Sequence, residues 1–115
     1  MVTYEQVRDF ALTLPGVEES ISYGTPALKV RGRLLTRLRE EGILVVRVGV
    51  GNQEALITME PDVYFITPHY AGSGAVLVRL DTLEDAAMRA LIAETWRTNA
   101  PKRLVKRNIM EKHDV

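Results

Sequence analysis

The sequence predicts an α+β domain in which an antiparallel sheet of about five strands carries helices packed on one face. Three observations predict this class. A helical pattern opens the chain and two more close it, residues 28–48 alternate apolar and charged side chains, and glycine-containing loops separate the strands. Strands joined by tight loops pair antiparallel, and helices segregated from them pack on one face of the sheet. We expect residues 1–115 to form one domain.

The first helix is predicted to begin at about Tyr4, because Thr3 and Gln6 have the spacing of a capping box. It should end at Pro15 and Gly16, since proline cannot continue the helical ladder and glycine adopts the reversed backbone angles that follow a helix. The next segment, Val17 to Pro26, is interpreted as a loop.

Two later helices are indicated by caps and apolar spacing. A short helix should begin near Asn52 as its cap and run to about Met59. A longer one, capped by Asp81 or Thr82, should continue to about Asn99 and bury Trp96 as its largest anchor.

A final short helix is expected from Pro101, which is well tolerated at the first helical position. At about 100° per residue, the basic side chains of this helix share one side, opposite its apolar side chains. The basic ones are Lys102, Arg103, Lys106 and Arg107.

Loop length sets the register of the first predicted hairpin. A three-residue loop, Arg31 to Arg33, places Val30 opposite Leu34. A two-residue loop of Gly32 and Arg33 would instead pair Leu28 with Arg37 and mix core with charge, so we favour the first register.

The second hairpin is predicted to turn through the three-residue loop Glu40-Glu41-Gly42. Arg39 should then face Ile43, Leu38 should face Leu44, and Thr36 should face Val46. Two further strands, over Val63–Thr67 and Ala75–Leu80, are expected to pair with each other.

The strand pattern assigns one sheet face to the core and the other to solvent. Leu34, Thr36 and Leu38 share the core face, together with the alternate residues of the next strand. The outward face should carry basic side chains among apolar ones. The basic members are Lys29, Arg37, Arg39 and Arg47, with Arg79 as an additional candidate; the apolar ones are Leu35, Ile43 and Val45.

Composition excludes several functional classes. The chain has no cysteine, and His69 and His113 are not in metal-ligand spacing, so we expect no metal, no cofactor and no enzymatic activity. No apolar run approaches the length that spans a bilayer, and the first residues lack a signal-peptide pattern, so no membrane association and a cytoplasmic location are expected.

Positive charge is concentrated locally although the chain has 15 basic and 15 acidic residues. Five basic residues fall between Lys29 and Arg39, with Arg31 and Arg33 at the tip of the predicted hairpin. Arginine and lysine gathered on one surface suit the phosphates of a nucleic acid. The alternative is a purely structural role, in which the arginines lie on a solvated sheet face and pair with nearby acidic residues.

Four segments together resemble the MmcQ/YjbR family of small bacterial proteins. They are Leu14-Pro15-Gly16-Val17-Glu18-Glu19, then Tyr23-Gly24-x-Pro26-Ala27-Leu28-Lys29-Val30-Arg31-Gly32-Arg33, then Pro61-Asp62-Val63-Tyr64-Phe65-Ile66-Thr67-Pro68-His69-Tyr70, and Trp96-Arg97-x-x-Ala100-Pro101-Lys102-Arg103-Leu104. The resemblance extends from Thr3 to Leu104.

This resemblance implies a CyaY-like fold and a DNA-binding role through a double-wing arrangement of hairpins. One departure is Ala75, which stands where the family often has an aromatic residue. The iron binding of frataxin-like proteins is not implied, because the first helix offers only Glu5 and Asp9 as acids.

The leading hypothesis is therefore a non-enzymatic protein that binds double-stranded DNA. Its expected phosphate contacts are Lys29, Arg31, Arg33, Arg37, Arg39, Arg47, Lys102 and Arg103. The alternative is a protein-interaction or weakly self-associating module that uses Leu35, Ile43 and Val45 on the outward sheet face.

Overall fold

A computed structural model describes residues 1–113 and the side chains of residues 1–108. Its helices are α1 (Tyr4–Ala11), α2 (Val50–Met59), α3 (Asp85–Asn99) and α4 (Lys102–His113), and its strands are β1 (Val17–Ser22), β2 (Thr25–Val30), β3 (Arg33–Glu40), β4 (Ile43–Val46), β5 (Tyr64–Phe65) and β6 (Val76–Arg79). All neighbouring strands pair antiparallel, in the order β1-β2-β3-β4-β6-β5. The predicted α+β class is confirmed.

The start of α1 forms as its capping residues predict. The Thr3 hydroxyl accepts a hydrogen bond from the Gln6 backbone at 3.2 Å, and the Gln6 side chain accepts one from the Thr3 backbone at 2.8 Å. These two bonds satisfy N–H groups that have no partner within the helix. Val7, on the inner side of the helix, is fully buried.

The segment interpreted as a loop contains β1, so the sheet has six strands rather than about five. Tyr23 and Gly24, both with positive φ (52° and 78°), turn the chain from β1 into β2. Two positive φ values in a two-residue turn match the twist of an antiparallel hairpin. The residues Glu18 to Ser20 are polar and not buried, which is why the apolar pattern missed this edge strand.

The predicted register of the β2–β3 hairpin is wrong. The loop consists of Arg31 and Gly32, with φ of 49° and 84°, so Val30 pairs with Arg33 and not with Leu34. A bulge on β3 then inserts Leu35 between the pairs Lys29–Leu34 and Leu28–Thr36. This extra residue turns Leu35 into the main core, where it is fully buried.

The β3–β4 hairpin was predicted in part. Leu38 pairs with Leu44, and Thr36 pairs with Val46, as expected. Glu40, not Arg39, pairs with Ile43, because a second bulge leaves Arg39 as the extra residue.

Helix boundaries differ from the expected ones at the N-terminal ends. Gly49 precedes α2 as its cap, while the Asn52 side chain donates to the Val48 carbonyl at 2.9 Å. Glu84 stands at the cap position of α3, three or two residues after the predicted caps. Helix α4 begins one residue after Pro101, whose carbonyl accepts the first helical bonds.

All four helices contribute to one core on one face of the sheet. The largest member, Trp96 of α3, is 3% exposed and donates its indole N–H to the Pro15 carbonyl at 2.8 Å. Leu104 of α4 is buried in the same cluster, next to Val30. The prediction that helices pack on one face is therefore confirmed.

The other sheet face is only partly open, which corrects the expectation of a solvated surface. Val45, Ala75 and Leu77 are buried there beneath Phe65 and Tyr70. The segment that covers them is held by Gln53, which is itself buried and donates to the Tyr70 carbonyl at 3.0 Å and to the Ala75 carbonyl at 2.6 Å. Leu35 and Val45 consequently do not form the exposed apolar surface that the interaction hypothesis requires.

Candidate functional site

An open cleft of about 900 Å³ lies between the tip of the β2–β3 hairpin and the corner where α3 meets α4. We call it the basic cleft. Its lining consists of Arg31, Arg33, Arg97, Thr98, Asn99, Ala100, Pro101, Lys102, Val105 and Lys106. The lining has five cations and, among the described residues, no carboxylate.

The hairpin wall of the basic cleft is built by an unusual turn residue. Arg31 occupies the left-handed region with φ of 49°, where glycine, asparagine and aspartate are the common residues. Its Nε atom would lie 3.4 Å from a Cβ placed on Gly16, so the side chain passes over the α1–β1 connection. Arg31 and Arg33 are both exposed at this tip.

The opposite wall is fixed by the break between two helices. Ala100 has extended backbone angles, and Pro101 cannot donate the bond that would continue α3. Leu104 anchors α4 in the core, which leaves Lys102 and Lys106 exposed on the cleft side. The corner is tied to the sheet by Asn99, whose side chain donates to the Arg47 carbonyl at 3.0 Å.

The electrostatics of the basic cleft are one-sided. Arg97 is bound by Glu94, with Nε 2.8 Å from Oε2, and this hydrogen bond lowers the pKa of the Glu94 carboxyl. Arg31, Arg33, Lys102 and Lys106 form no ion pair within the described residues. Cations that converge without carboxylates attract anions, and the low-dielectric walls of a cleft strengthen this attraction.

Three of the predicted phosphate contacts meet in the basic cleft: Arg31, Arg33 and Lys102. Arg103 is exposed on α4 but does not line it. Arg47 is exposed in an adjoining depression, which shares Thr98 and Asn99 with the cleft.

The other predicted contacts lie elsewhere. Lys29 is half-buried on β2 opposite Glu18. Arg37 is partly buried on the far sheet face, where it donates to the Tyr70 hydroxyl at 3.1 Å and lies 5.0 Å from the centre of the Tyr23 ring. Arg39 forms an ion pair with Glu40 at 2.8 Å. Arg37 thus lies on the outward face as alternation predicted, but these three cations do not form one open basic surface.

Two cations of the basic cleft were absent from the predicted set. Lys106 had been placed on the basic side of the terminal helix but not among the contacts. Arg97 lies in the last turn of α3, and its position one turn before Pro101 was the available signal.

Arg79, the additional candidate of the outward sheet face, is not a free cation. It donates to the Pro61 and Asp62 carbonyls, and its guanidinium carbon lies 4.1 Å from the centre of the Phe65 ring.

The described residues contain no group of three or more histidine, aspartate or glutamate side chains that could hold a metal ion. None of the helices formed by these residues is long and apolar enough to cross a bilayer.

The fold and the basic cleft define a small α+β protein built on an open antiparallel sheet, and sequence comparison assigns it to a family. A family model described as YjbR matches residues 12–98, so the chain belongs to the YjbR family.

Similar proteins include the uncharacterized protein Mb2600 of Mycobacterium bovis and the uncharacterized protein Rv2570 of Mycobacterium tuberculosis. Each is 43% identical to this chain over 91 residues, which cover 75% of this chain and 70% of the relative. A crystal structure of the Deinococcus radiodurans protein DR2400, with the family-model domain DUF419, has the same fold. Its TM-score is 0.71 at 20% identity, over 85% of this chain and 78% of that chain.

Proposed function

We propose that this protein binds double-stranded DNA non-enzymatically, through phosphate contacts in the basic cleft. The observation that carries the proposal is the composition of the cleft, in which two separate parts of the fold bring five cations together without a carboxylate. The chain has equal numbers of acidic and basic residues, so this concentration is a matter of placement. The proposal also includes the cytoplasm as the place where the protein acts.

The chemistry of the cleft walls supports phosphate rather than base recognition. Arginine and lysine side chains that neutralise phosphates release condensed counterions, and this release supplies most of the affinity of nonspecific complexes. No aromatic side chain is among the described residues that line the cleft, and aromatic side chains are the stacking platform that single-stranded ligands use.

The shape of the hairpin tip suits contact with a duplex. The tip residues Arg31, Gly32 and Arg33 are all exposed, and a Cβ added to Gly32 would meet no atom within 4 Å. A narrow tip of this kind can approach a groove, while Lys102 and Lys106 on the opposite wall reach the adjacent backbone.

The salt dependence of DNA binding tests the proposal. Four cleft cations without ion pairs predict a slope of about −3.6 in log K against log salt, and therefore a roughly 150-fold loss of affinity between about 50 and about 200 mM salt. The measurement is fluorescence anisotropy with a short labelled duplex. Absent binding, or binding that does not respond to salt, would refute the proposal.

Matched variants locate the contact surface. Arg31→Asn removes one charge while keeping a residue that tolerates the left-handed conformation, and Lys102→Gln removes one from the opposite wall. Each should weaken binding and reduce the magnitude of the salt slope by about 1. Arg39→Gln is the control, because Arg39 is ion-paired to Glu40 outside the cleft. An equal effect of Arg39→Gln would place the binding surface elsewhere.

The alternative role as a protein-interaction module has no comparable support. Of the residues assigned to it, Leu35 and Val45 are buried and Ile43 is half-buried beside Val45.

A further inference from the structure

A second depression, of about 420 Å³, lies on the other side of α3, between this helix and α2. We call it the apolar groove. Most of its lining is aliphatic or aromatic, and the residues are Val48, Asn52, Ala55, Leu56, Met59, Glu60, Tyr64, Ala87, Ala90, Leu91, Glu94 and Thr95. This volume and this mixture of many apolar side chains with few polar ones are typical of small-molecule sites.

Tyr64 supplies an unused hydrogen-bonding group to the apolar groove. The residue is only 4% exposed, yet its hydroxyl makes no hydrogen bond to any described residue. Every fully buried side-chain nitrogen or oxygen of the described residues has a partner, so the Tyr64 hydroxyl must keep some accessible surface. Tyr64 lines the groove, so a ligand bound there would lie against this residue.

Two other polar aromatic groups in this fold have partners. The Trp96 indole N–H binds the Pro15 carbonyl, and the Tyr70 hydroxyl binds Arg37. A mostly buried hydroxyl without a bond loses the interaction that water would give it in the unfolded chain. The Tyr64 hydroxyl is therefore available to a ligand at no cost in protein hydrogen bonds.

The charge of the apolar groove is opposite to that of the basic cleft. Among the described residues, the charged ones that line it are Glu60 and Glu94, both carboxylates, and none is a lysine or arginine. Glu94 is bound by Arg97, whereas Glu60 forms no ion pair among the described residues. Glu60 lies near enough to Tyr64 to contribute to the raised pKa of the tyrosine, whose first cause is burial.

We propose that the apolar groove binds a small molecule with an apolar body and an ammonium group, which Glu60 and the Tyr64 hydroxyl receive. An ammonium donates hydrogen bonds and accepts none, which matches a carboxylate and a phenol oxygen. A carboxylate or phosphate ligand would meet Glu60 and Glu94 at close range and be repelled. Met59, which is 75% exposed on the rim, adds a flexible side chain that adapts to different apolar shapes.

A fluorine NMR titration of the whole chain with matched probes tests the proposal. The cation is para-fluorophenethylamine, the anion is para-fluorohydrocinnamate, and the neutral compound is para-fluorophenethyl alcohol, all with the same ring and two-carbon linker. We expect the amine to bind at least about tenfold more tightly than the acid, since the charge-assisted bond is lost in the anion. Equal binding of amine and acid, or no binding of the amine at millimolar concentration, would overturn the proposal.

Variants then place the probe in the apolar groove. Glu60→Gln and Tyr64→Phe should each weaken amine binding by roughly three- to tenfold through loss of one bond. Ala90→Leu fills the groove from an exposed helical position, where leucine is tolerated, and should abolish binding. Glu54→Gln removes an exposed glutamate of α2 that does not line the groove and should change nothing.

Two further outcomes would also overturn the proposal. Amine binding that survives Ala90→Leu would locate the probe elsewhere on the protein. Self-association that is seen by sedimentation and removed by the same substitution would mean that a second copy of the chain covers the groove. Circular dichroism of each variant checks that the fold is retained, and Tyr64→Phe keeps the buried ring in place as a second test.

Discussion

Gly16→Ala is the substitution whose effects the structure predicts in most detail. Gly16 has φ of 76°, and a Cβ built on it would lie 2.9 Å from the Cδ1 atom of Leu104 and 3.4 Å from the Nε atom of Arg31. The position therefore touches the buried anchor of α4 and the side chain that forms the hairpin wall of the basic cleft. A methyl group there should separate the two walls as well as strain the turn.

The magnitude follows from two separate contributions. Placing a non-glycine residue in the left-handed region costs about 1–2 kcal/mol. Overpacking against Leu104 adds about 1–3 kcal/mol, because this buried side chain must shift to admit the added methyl group. We expect Gly16→Ala to lower the free energy of unfolding by about 2–5 kcal/mol in total.

Gly24→Ala is the matched control. Gly24 has nearly the same backbone angle, with φ of 78°, but an added Cβ would meet no atom within 4 Å. This variant should lose stability only through the backbone strain. The difference between the two substitutions thus measures the packing of Leu104 against the α1–β1 connection.

Urea unfolding followed by tryptophan fluorescence is the assay. Trp96 is the single tryptophan and is bonded to the carbonyl of Pro15, beside the substituted residue, so far-ultraviolet circular dichroism should be recorded in parallel. Losses that agree within about 0.5 kcal/mol would refute the reasoning, since the packing contribution would then be absent. If DNA binds in the basic cleft, Gly16→Ala should also weaken it, whereas Gly24→Ala should not.

Three further predictions concern other parts of the fold. Gln53→Met should cost about 1–3 kcal/mol, because two carbonyls of the covering segment lose their donor; urea unfolding measures the loss, and an unchanged midpoint would contradict it. Burial raises the pKa of Tyr64 above 10.0 in the folded chain. The stability linked to the neutral phenol is therefore fully present below pH 10.0 and is lost as the pH rises through the raised pKa. Tyr64→Phe should therefore lose less stability than the parent between about pH 9.5 and about pH 11, and equal losses by pH-jump unfolding would contradict this. Arg37→Gln should lower stability by about 1 kcal/mol through its contacts with Tyr23 and Tyr70, yet leave duplex affinity within about twofold in the anisotropy assay.

Elements that are specified by neighbouring residues could be predicted from the sequence. The Thr3–Gln6 capping box and the break at Pro101 depend on local backbone chemistry, and both were found within one residue of the predicted place. The β1 strand escaped prediction because it buries little and its turn places Tyr23, rather than asparagine or glycine, at positive φ. The strand forms because it pairs with β2, and its own sequence does not indicate that pairing.

A bulge limits how far the strand faces could be predicted. Alternation assigned Leu35 to the outward face, and one extra residue in β3 placed it in the core instead. A bulge depends on how two strands fit across the sheet, so the period-two pattern of β3 alone does not contain it. Beyond the bulge the predicted faces hold, since Thr36 pairs with Val46 of the main core and Arg37 pairs with Val45 of the outward face.

The candidate site was predictable in its charges but not in its neighbours. Arg31, Arg33 and Lys102 were chosen because each lies in a locally basic segment, and they meet because Leu104 packs against the hairpin. Arg97 belongs to a helix of mixed charge, and it lines the same cleft as Lys102 because the chain bends at Ala100 between them. Tertiary packing decides which charged segments become one surface.

The distribution of charge about α3 explains how a chain with no net charge could serve a polyanion. Glu94 lines the apolar groove and Arg97 lines the basic cleft, and their ion pair lies on the exposed ridge of α3 between the two depressions. At physiological salt the screening length is about 8 Å, so a phosphate in the cleft responds mainly to charges within that range. The described lining of the cleft supplies five cations, and Glu94 is paired with one of them, Arg97, whereas acidic and basic residues are equal in number only over the whole chain. Net neutrality therefore gives no argument against phosphate binding, because the field at the cleft is set by local placement.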